Sequence, residues 1–177
     1  VDTNLYMPGM FTITLSDDMD VQTGQLKYTD ADIFKVGAEI EIEIETDEVP
    51  DEVSTVKSTL ITGEITAIEP SFMLGGRPQL LIRGYDRGHR LSRGKKTRTF
   101  GDANPTGSGI SDQQIISTIV QETEGVTGQD IDTSGLSSCK YYYVMQYNQS
   151  DLEFLWSRAR MLGYQVYVQD KTLYFHK

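Results

Sequence analysis

Residues 38–46 read AEIEIEIET, an uninterrupted alternation of glutamate and isoleucine that admits one kind of secondary structure. Successive side chains of a β-strand point to opposite faces, so Ile40, Ile42 and Ile44 share one face. A helix is excluded, because steps of about 100° per residue would scatter these isoleucines around its axis. The opposite face is a row of carboxylates that resists non-specific strand pairing. We call it the glutamate ladder, formed by Glu39, Glu41, Glu43 and Glu45.

Further short strands are predicted in the first hundred residues. Residues 10–16 (MFTITLS) alternate apolar and polar side chains, and residues 59–69 and 79–85 read as two more strands. Gly63 lies inside the second of these segments and is expected to mark a bulge or a sharp bend. No long helical period occurs in this part of the chain. Short strands with glycine bends favour a small β-barrel or a sandwich.

Two helices are predicted beyond residue 100. Ser111 with Gln114, and Ser150 with Glu153, have the spacing of capping boxes, which satisfy backbone N–H groups at the start of a helix. The second helix is predicted to end at Gly163, because glycine adopts the left-handed conformation that closes helices. Its inward face is predicted to contain Leu152, Leu155, Trp156, Ala159 and Leu162.

A domain boundary is predicted at residues 100–101. Residues 100–109 (FGDANPTGSG) are rich in glycine, asparagine and proline, a composition typical of loops and linkers. Strands predicted at residues 141–147, 164–169 and 172–175 combine with the two helices into an α+β unit. The fold class is therefore predicted to be mainly β with an α+β second half. It comprises a small β-barrel over residues 1–100 and a compact α+β domain over residues 101–177.

Charge is unevenly distributed along the 177 residues, which hold 26 acidic and 16 basic side chains for a net charge of −10. Residues 77–100 alone hold 8 basic side chains and 1 acidic side chain. A protein that binds free nucleic acid usually presents a net basic surface to the phosphates, so this class is disfavoured. The basic band is instead predicted to meet acidic protein, including copies of the same chain.

No catalytic residue, cofactor or metal site is predicted, and the chain is not expected to be an enzyme. One cysteine, Cys139, and two histidines, His89 and His176, do not suffice for a thiolate or imidazole metal cage. Residues 88–97 miss the spacing of a phosphate-binding loop, and residues 130–141 lack the glutamate that closes a calcium loop. No apolar run approaches the ~20 residues that span a bilayer, so no stable membrane insertion is expected.

Three segments resemble a known family. They are residues 6–15 (YMPGMFTITL), residues 63–100, and residues 144–175, which include the fairly specific run YNQSDLEFL. They look like the baseplate-hub part of VgrG and of phage late control protein D. Within that superfamily the chain is most similar to the spike and hub proteins of extracellular contractile injection systems.

The resemblance implies a fold, partners and a location. Residues 1–100 would be the first tube domain of a hub, without its usual opening strand, and residues 101–177 an appended outer domain of a longer subunit. The full-length protein would form a homotrimer that joins a sixfold inner tube to a trimeric spike. Its partners would be the inner tube protein and the spike and baseplate proteins. It would assemble in the bacterial cytoplasm and then belong to a phage, secreted or cell-attached injection particle.

The same resemblance gives the charged segments a possible role. The glutamate ladder would line the hub lumen or a subunit boundary, and the basic band would dock on acidic surface of a neighbouring subunit. The alternative is that both are solvated faces, because exposed ion pairs contribute only ~0–1 kcal/mol. The basic candidates are Arg83, Arg87, Arg90, Arg93, Lys95, Lys96 and Arg98.

Two other functions are open from the sequence. The first is a carbohydrate- or cell-surface-binding module, because the tyrosines at residues 141–143 have rings that can stack on sugars. The same run of tyrosines also packs the two faces of many sheets. The second is a tail-associated hydrolase, although no pair of carboxylates is singled out for catalysis.

Overall fold

The computed structural model describes residues 1–4, 7–31, 33–47, 55–101, 108–136 and 139–177. Backbone contacts divide the chain into two units. The first unit is formed by Val1–Thr3 and Gly9–Asp86, and the second by Asn4–Pro8 and Arg87–Lys177. Each unit has a hydrophobic core of its own. The predicted fold class, mainly β with an α+β second half, is confirmed.

The first part of the chain folds into one five-stranded sheet that curls into a half-barrel. Its strand order is β1-β2-β5-β4-β3, and the neighbours from β2 to β3 are antiparallel. The small barrel predicted from the sequence is thus a half-barrel among the described residues. The strands are β1 (Asp2–Asn4), β2 (Met7–Ser16), β3 (Glu39–Asp47), β4 (Thr55–Ser71) and β5 (Gln79–Asp86).

The isoleucine face of β3 packs on the core of the first unit. Ile40 and Ile42 are partly buried against a cluster of five buried side chains, whereas Ile44 is exposed. The predicted alternation is therefore confirmed, and it orients the strand with its glutamates away from the core. The buried cluster is Phe11, Ile61, Leu80, Ile82 and Ile65.

The pairing of the long strand β4 shifts register at two bulges, which lie on either side of Gly63. Leu60 has no partner between the pairs that β4 forms with β3, and Thr66 has none between the pairs that it forms with β5. Gly63 itself pairs with a residue of β3 and with a residue of β5, so it does not mark a bulge. It is required for space, because a Cβ there would lie 2.3 Å from the carbonyl oxygen of Tyr85.

The second unit combines helices with two small sheets. Antiparallel β6 and β8 form one sheet, and the other has the order β7-β10-β9, in which β10 is parallel to β7 and antiparallel to β9. The elements are α1 (Gly88–Leu91), β6 (Lys96–Gly101), α2 (Asp112–Glu122), β7 (Gly128–Ile131), β8 (Tyr143–Gln149), α3 (Asp151–Leu162), β9 (Gln165–Gln169) and β10 (Thr172–His176).

Both predicted capping boxes are present. The side chain of Ser111 accepts a hydrogen bond from the Gln114 N–H at the start of α2, and Ser150 does the same for Glu153 at the start of α3. Helix α3 ends at Gly163, whose φ of 72° is left-handed as predicted. Such caps satisfy backbone donors that have no partner inside the helix.

The inward face of α3 agrees with the sequence prediction in part. Leu152, Leu155 and Ala159 are buried, whereas Trp156 and Leu162 are partly buried at the margin of the core. Phe154 is buried as well, where its ring stacks on Phe100 with centroids 5.5 Å apart, and the inward face predicted from the sequence did not include it.

The boundary between the two units lies after Asp86. The sequence predicts a later boundary, between domains over residues 1–100 and 101–177. The segment between the two positions contains α1 and β6. Because β6 pairs with β8, this segment packs with the second unit.

The two units differ in charge. The first unit holds 17 acidic and 5 basic side chains, and the second unit holds 9 acidic and 11 basic side chains. Their net charges are −12 and +2.

Candidate interaction surfaces

The glutamate ladder is an exposed row on the edge strand of the half-barrel sheet. All four carboxylates are exposed, and β3 is at the end of the strand order. The Thr59 hydroxyl donates to Glu41 Oε1 at 2.9 Å, and Lys57 Nζ lies 2.7 Å from Glu45 Oε1. These contacts involve two of the four carboxylates, and the alternation of the strand places all four on the face opposite the isoleucine core, where they concentrate negative charge.

The rest of this sheet face is also polar. Arg83 on β5 projects beside Thr12 of β2 and forms an ion pair with Glu69, with 3.5 Å between its Nη2 and the Glu69 Oε2. Thr14 is exposed two residues further along β2. The curled sheet therefore has one apolar face, packed on the core, and one face of hydroxyls and charges.

Two members of the basic band form ion pairs with acidic residues of the second unit. Lys96 Nζ lies 2.7 Å from Asp151 Oδ2, and Arg98 Nη2 lies 2.8 Å from Asp151 Oδ1. Arg98 also donates to Gln146 at 2.8 Å and contacts Glu122. Asp151 is buried at the first turn of α3, so this network ties β6 to that helix. The spacing in the sequence gave no signal for it, because Asp151 follows Lys96 by 55 residues and Arg98 by 53.

The other basic candidates of the second unit differ in environment. Arg87 is buried, and Arg90 forms an ion pair with Glu124 in which its Nη1 lies 3.0 Å from Oε2. Arg93 Nη2 lies 2.7 Å from His89 Nε2, although the residue is exposed. Lys95 is exposed. Docking on a neighbour stays a prediction, and Arg93 and Lys95 are the basic candidates of the second unit that are exposed to take part in it.

A buried ion pair that the sequence did not predict joins α2 to α3. Arg158 Nε and Nη2 donate to the two carboxylate oxygens of Asp112 at 2.7 and 2.9 Å. The guanidinium also lies 4.7 Å from the ring centroid of Tyr141. Burial lowers the pKa of Arg158, but the hydrogen bonds and charge of Asp112 outweigh it and raise that pKa above its ordinary value. The guanidinium therefore stays charged and holds the two helices together.

The outer face of the β6–β8 sheet carries uncharged aromatic and hydroxyl side chains, and we call it the tyrosine face. Tyr143, Met145 and Tyr147 project from β8 and are between 50% and 67% exposed. Thr97 and Thr99 are exposed on the neighbouring strand β6, and Thr99 pairs directly with Met145. The predicted cluster of tyrosines at residues 141–143 thus contributes one ring to a longer face.

The connection between β4 and β5 presents an apolar tip. Phe72 and Met73 are about two-thirds exposed, and Leu74 is fully exposed. Gly75, with a φ of 77°, turns the chain back toward β5. We call Phe72, Met73 and Leu74 the hairpin tip. Three adjacent large apolar side chains in water are unfavourable unless another surface covers them.

A cleft of about 320 Å³ opens beside the start of α3 in the second unit, and we call it the Trp156 cleft. Its apolar wall contains Pro8, Leu152 and Trp156, and its polar wall contains Lys95 and Glu153. The hydrogen bond from the Ser150 N–H and the charge of Lys95 lower the pKa of Glu153, although partial burial opposes them. The remaining lining residues are Ser92, Gly94 and Ser150.

Asp17 is a buried carboxylate with a structural role in the first unit. Asp17 accepts hydrogen bonds from the backbone N–H groups of Tyr28 and Thr29, both at 2.9 Å, and so fixes the loop after β2. Within the described residues no group of three or more histidine, cysteine, aspartate and glutamate side chains is arranged to hold a metal ion. None of the helices in that part of the chain is long and apolar enough to cross a membrane.

These features define a class of fold, a curled half-barrel sheet with an α+β unit. The chain belongs to the Alg8 N-terminal domain family, whose sequence model matches residues 9–177. No curated protein matches the chain.

Solved structures of two prophage tail proteins and of one type VI secretion component match the chain. The crystal structure of the 43 kDa tail protein of prophage MuSo2 from Shewanella oneidensis has a TM-score of 0.67 at 14% identity, over 97% of this chain and 45% of that one. It shares the fold. The E. coli c3393 protein, described as a type VI secretion component structurally similar to T4 tail proteins gp27 and gp5, has a TM-score of 0.47 at 14% identity. That match covers 80% of this chain and 43% of the other.

Prophage tail protein gp18 from Listeria monocytogenes resembles the chain less closely, with a TM-score of 0.37 at 15% identity. That match covers 93% of this chain and 49% of the other. The chain spans less than half the length of each of these three structures.

Proposed function

We propose that the chain is part of a structural, non-enzymatic hub subunit of a contractile injection particle, of the phage tail, type VI secretion or extracellular kind. In its native full-length form the subunit would be a homotrimer that joins a sixfold inner tube to a trimeric spike. Its partners would be the inner tube protein and the spike and baseplate proteins. The particle would be assembled in the bacterial cytoplasm.

One observation carries the proposal. The half-barrel and the α+β unit together match the fold of a protein described as a tail protein over 97% of this chain. The resemblance of residues 6–15, 63–100 and 144–175 to hub proteins supports the same role.

The charges of the sheet support a position at a lumen or a subunit boundary. The glutamate ladder, Arg83 and the exposed threonines make one face of the half-barrel polar along its length. Such a face is stable in contact with water or with a charged neighbour, and it does not need an apolar cover. Complementary charge at such a boundary would fix the register of subunits more than it would add affinity.

Electron microscopy of the native full-length chain tests the proposal. We expect a threefold ring with a pseudo-sixfold rim, and a mass by light scattering of three subunits. A monomer at all concentrations, or a ring of another symmetry, would contradict the hub assignment. Peptidoglycan or glycan turnover by the purified protein would contradict its non-enzymatic part.

The tyrosine face favours a second candidate, a module that binds carbohydrate or another cell-surface molecule. Its rings and hydroxyls carry no charge, in a protein with a net charge of −10. Aromatic rings offer apolar area at low entropic cost, and their hydroxyls offer hydrogen bonds. Glycan-array binding that is lost in Tyr147→Ala, and retained in Met161→Ala, would support this candidate. Met161 is 73% exposed, close to the 67% of Tyr147, but lies on α3, so it is a matched control.

A further inference from the structure

We propose that the hairpin tip of one copy docks in the Trp156 cleft of a neighbouring copy. The inference rests on the oligomeric hub proposed above and names a contact between its subunits. It assigns Phe72, Met73 and Leu74 as the inserted side chains, and Leu152 and Trp156 as the wall that receives them.

The hairpin tip requires a cover. The same chain lines the exposed face of its edge strand β3 with four glutamates, which oppose non-specific strand pairing. At the tip there is no charge between Glu69 and Arg77, and the turn exposes three large apolar side chains instead. Exposed apolar groups that are contiguous in this way mark sites of association.

The Trp156 cleft has the size and lining to receive such side chains. About ten waters at liquid density would fill 320 Å³, and releasing them from an apolar wall is favourable. Pro8, Leu152 and Trp156 supply that wall. Tryptophan is enriched at the centre of protein interfaces because it buries a large area with few rotatable bonds.

The net charges of the two units favour a second copy of the chain, rather than a membrane, as the partner of the hairpin tip. The unit that carries the tip has a net charge of −12, and an anionic lipid surface would repel it. The unit that carries the cleft has a net charge of +2, with the exposed Lys95 on the wall of the cleft. A patch that fits a pocket elsewhere on the same protein makes head-to-tail contacts, and these close into a ring when the rotation between neighbouring copies closes on itself.

Substitution of Leu74 tests the contact in the native full-length chain. Leu74→Asp should raise the dissociation constant of the oligomer by about tenfold or more, because burial of a leucine contributes at least that factor. Val21→Asp is the matched control, since Val21 is an apolar residue of the same unit, is 91% exposed, and lies outside the tip. Mass photometry across a dilution series measures both variants, and circular dichroism reports whether each folds.

Disulfide trapping keeps the inference testable if Leu74→Asp fails to fold. In a Cys139→Ser background, Met73→Cys with Lys95→Cys should give a ladder of linked subunits on non-reducing gels. Val21→Cys with Lys95→Cys should give none.

Three results would overturn the inference. An intact ring in Leu74→Asp without cross-links would refute the docking while the hub proposal stands. Sedimentation with phosphatidylglycerol vesicles that depends on Leu74, again without cross-links, would assign the tip to a membrane. A wild-type protein that stays monomeric would refute both the docking and the hub.

Discussion

Replacing Arg158 with methionine removes the cation of the buried pair that joins α2 to α3. The Arg158 and Asp112 side chains are 9% and 1% exposed, and two hydrogen bonds of 2.7 and 2.9 Å connect them. Breaking a buried pair by removing one partner costs about 3–5 kcal/mol, because the other charge stays buried. Asp112 begins α2, where the helix dipole offsets about 0.3–1 kcal/mol of that cost. We therefore expect the second unit to lose about 2–4 kcal/mol.

Urea unfolding followed by tryptophan fluorescence measures this loss. Trp156 is the single tryptophan and lies on α3, so its emission reports on the second unit alone. Arg160→Met on the same helix is the matched control, because Arg160 is exposed and its replacement should change stability by less than about 0.5 kcal/mol.

A loss below about 1 kcal/mol in Arg158→Met would refute the reasoning, since it would mean that Asp112 finds water or another partner. A double variant sharpens the test. Combining Arg158→Met with Asp112→Leu should recover part of the loss, because no charge then remains buried. Strict additivity of the two single substitutions would contradict the coupling between them.

Three further predictions concern single residues. Burial raises the pKa of Asp17, but hydrogen bonds, led by that of the Thr29 hydroxyl, lower it below the ordinary value of 3.8. The resulting stabilisation is present above that value and is lost as the pH falls below it, so Asp17→Asn should flatten the acid limb of a stability–pH curve. If the acid limb of the stability–pH curve is the same in Asp17→Asn as in the wild type, the stabilising role of the Asp17 carboxylate is contradicted. A Cβ on Gly84 would lie 2.2 Å from Phe11 Cζ, so Gly84→Ala should destabilise the first unit by about 1–3 kcal/mol in a thermal melt, and an unaltered melt would exclude the clash. Ser150→Ala removes the cap of α3 and should cost about 1 kcal/mol by Trp156 fluorescence, with no change expected if the cap is redundant.

Features that depend on neighbouring residues could be predicted from the sequence. The alternation around Ile42 specifies a strand because its period is that of the pleat, and both capping boxes depend on residues three positions apart. Gly163 was predictable for the same reason, since the left-handed end of a helix is a local requirement.

Features that depend on pairing between distant segments could not be predicted. Arg98 belongs to the basic band in the sequence, yet its partner Asp151 comes 53 residues later and meets it only because β6 pairs with β8. The same pairing moves residues 87–100 into the second unit, although the loop-forming composition lies after residue 100. Local composition marks a flexible connection, and strand pairing decides which segments share a core.

Part of the basic band, which was predicted to dock on a neighbour, forms ion pairs inside its own unit. Lys96, Arg98 and Arg90 have acidic partners within their own unit, so they contribute to its stability first. The net charges of −12 and +2 nevertheless remain separated between the two units. In the proposed docking, long-range attraction between unlike units would orient the encounter and the apolar contact would hold it. An acidic hairpin-bearing unit and a weakly basic cleft-bearing unit therefore favour head-to-tail association of copies over association of like units.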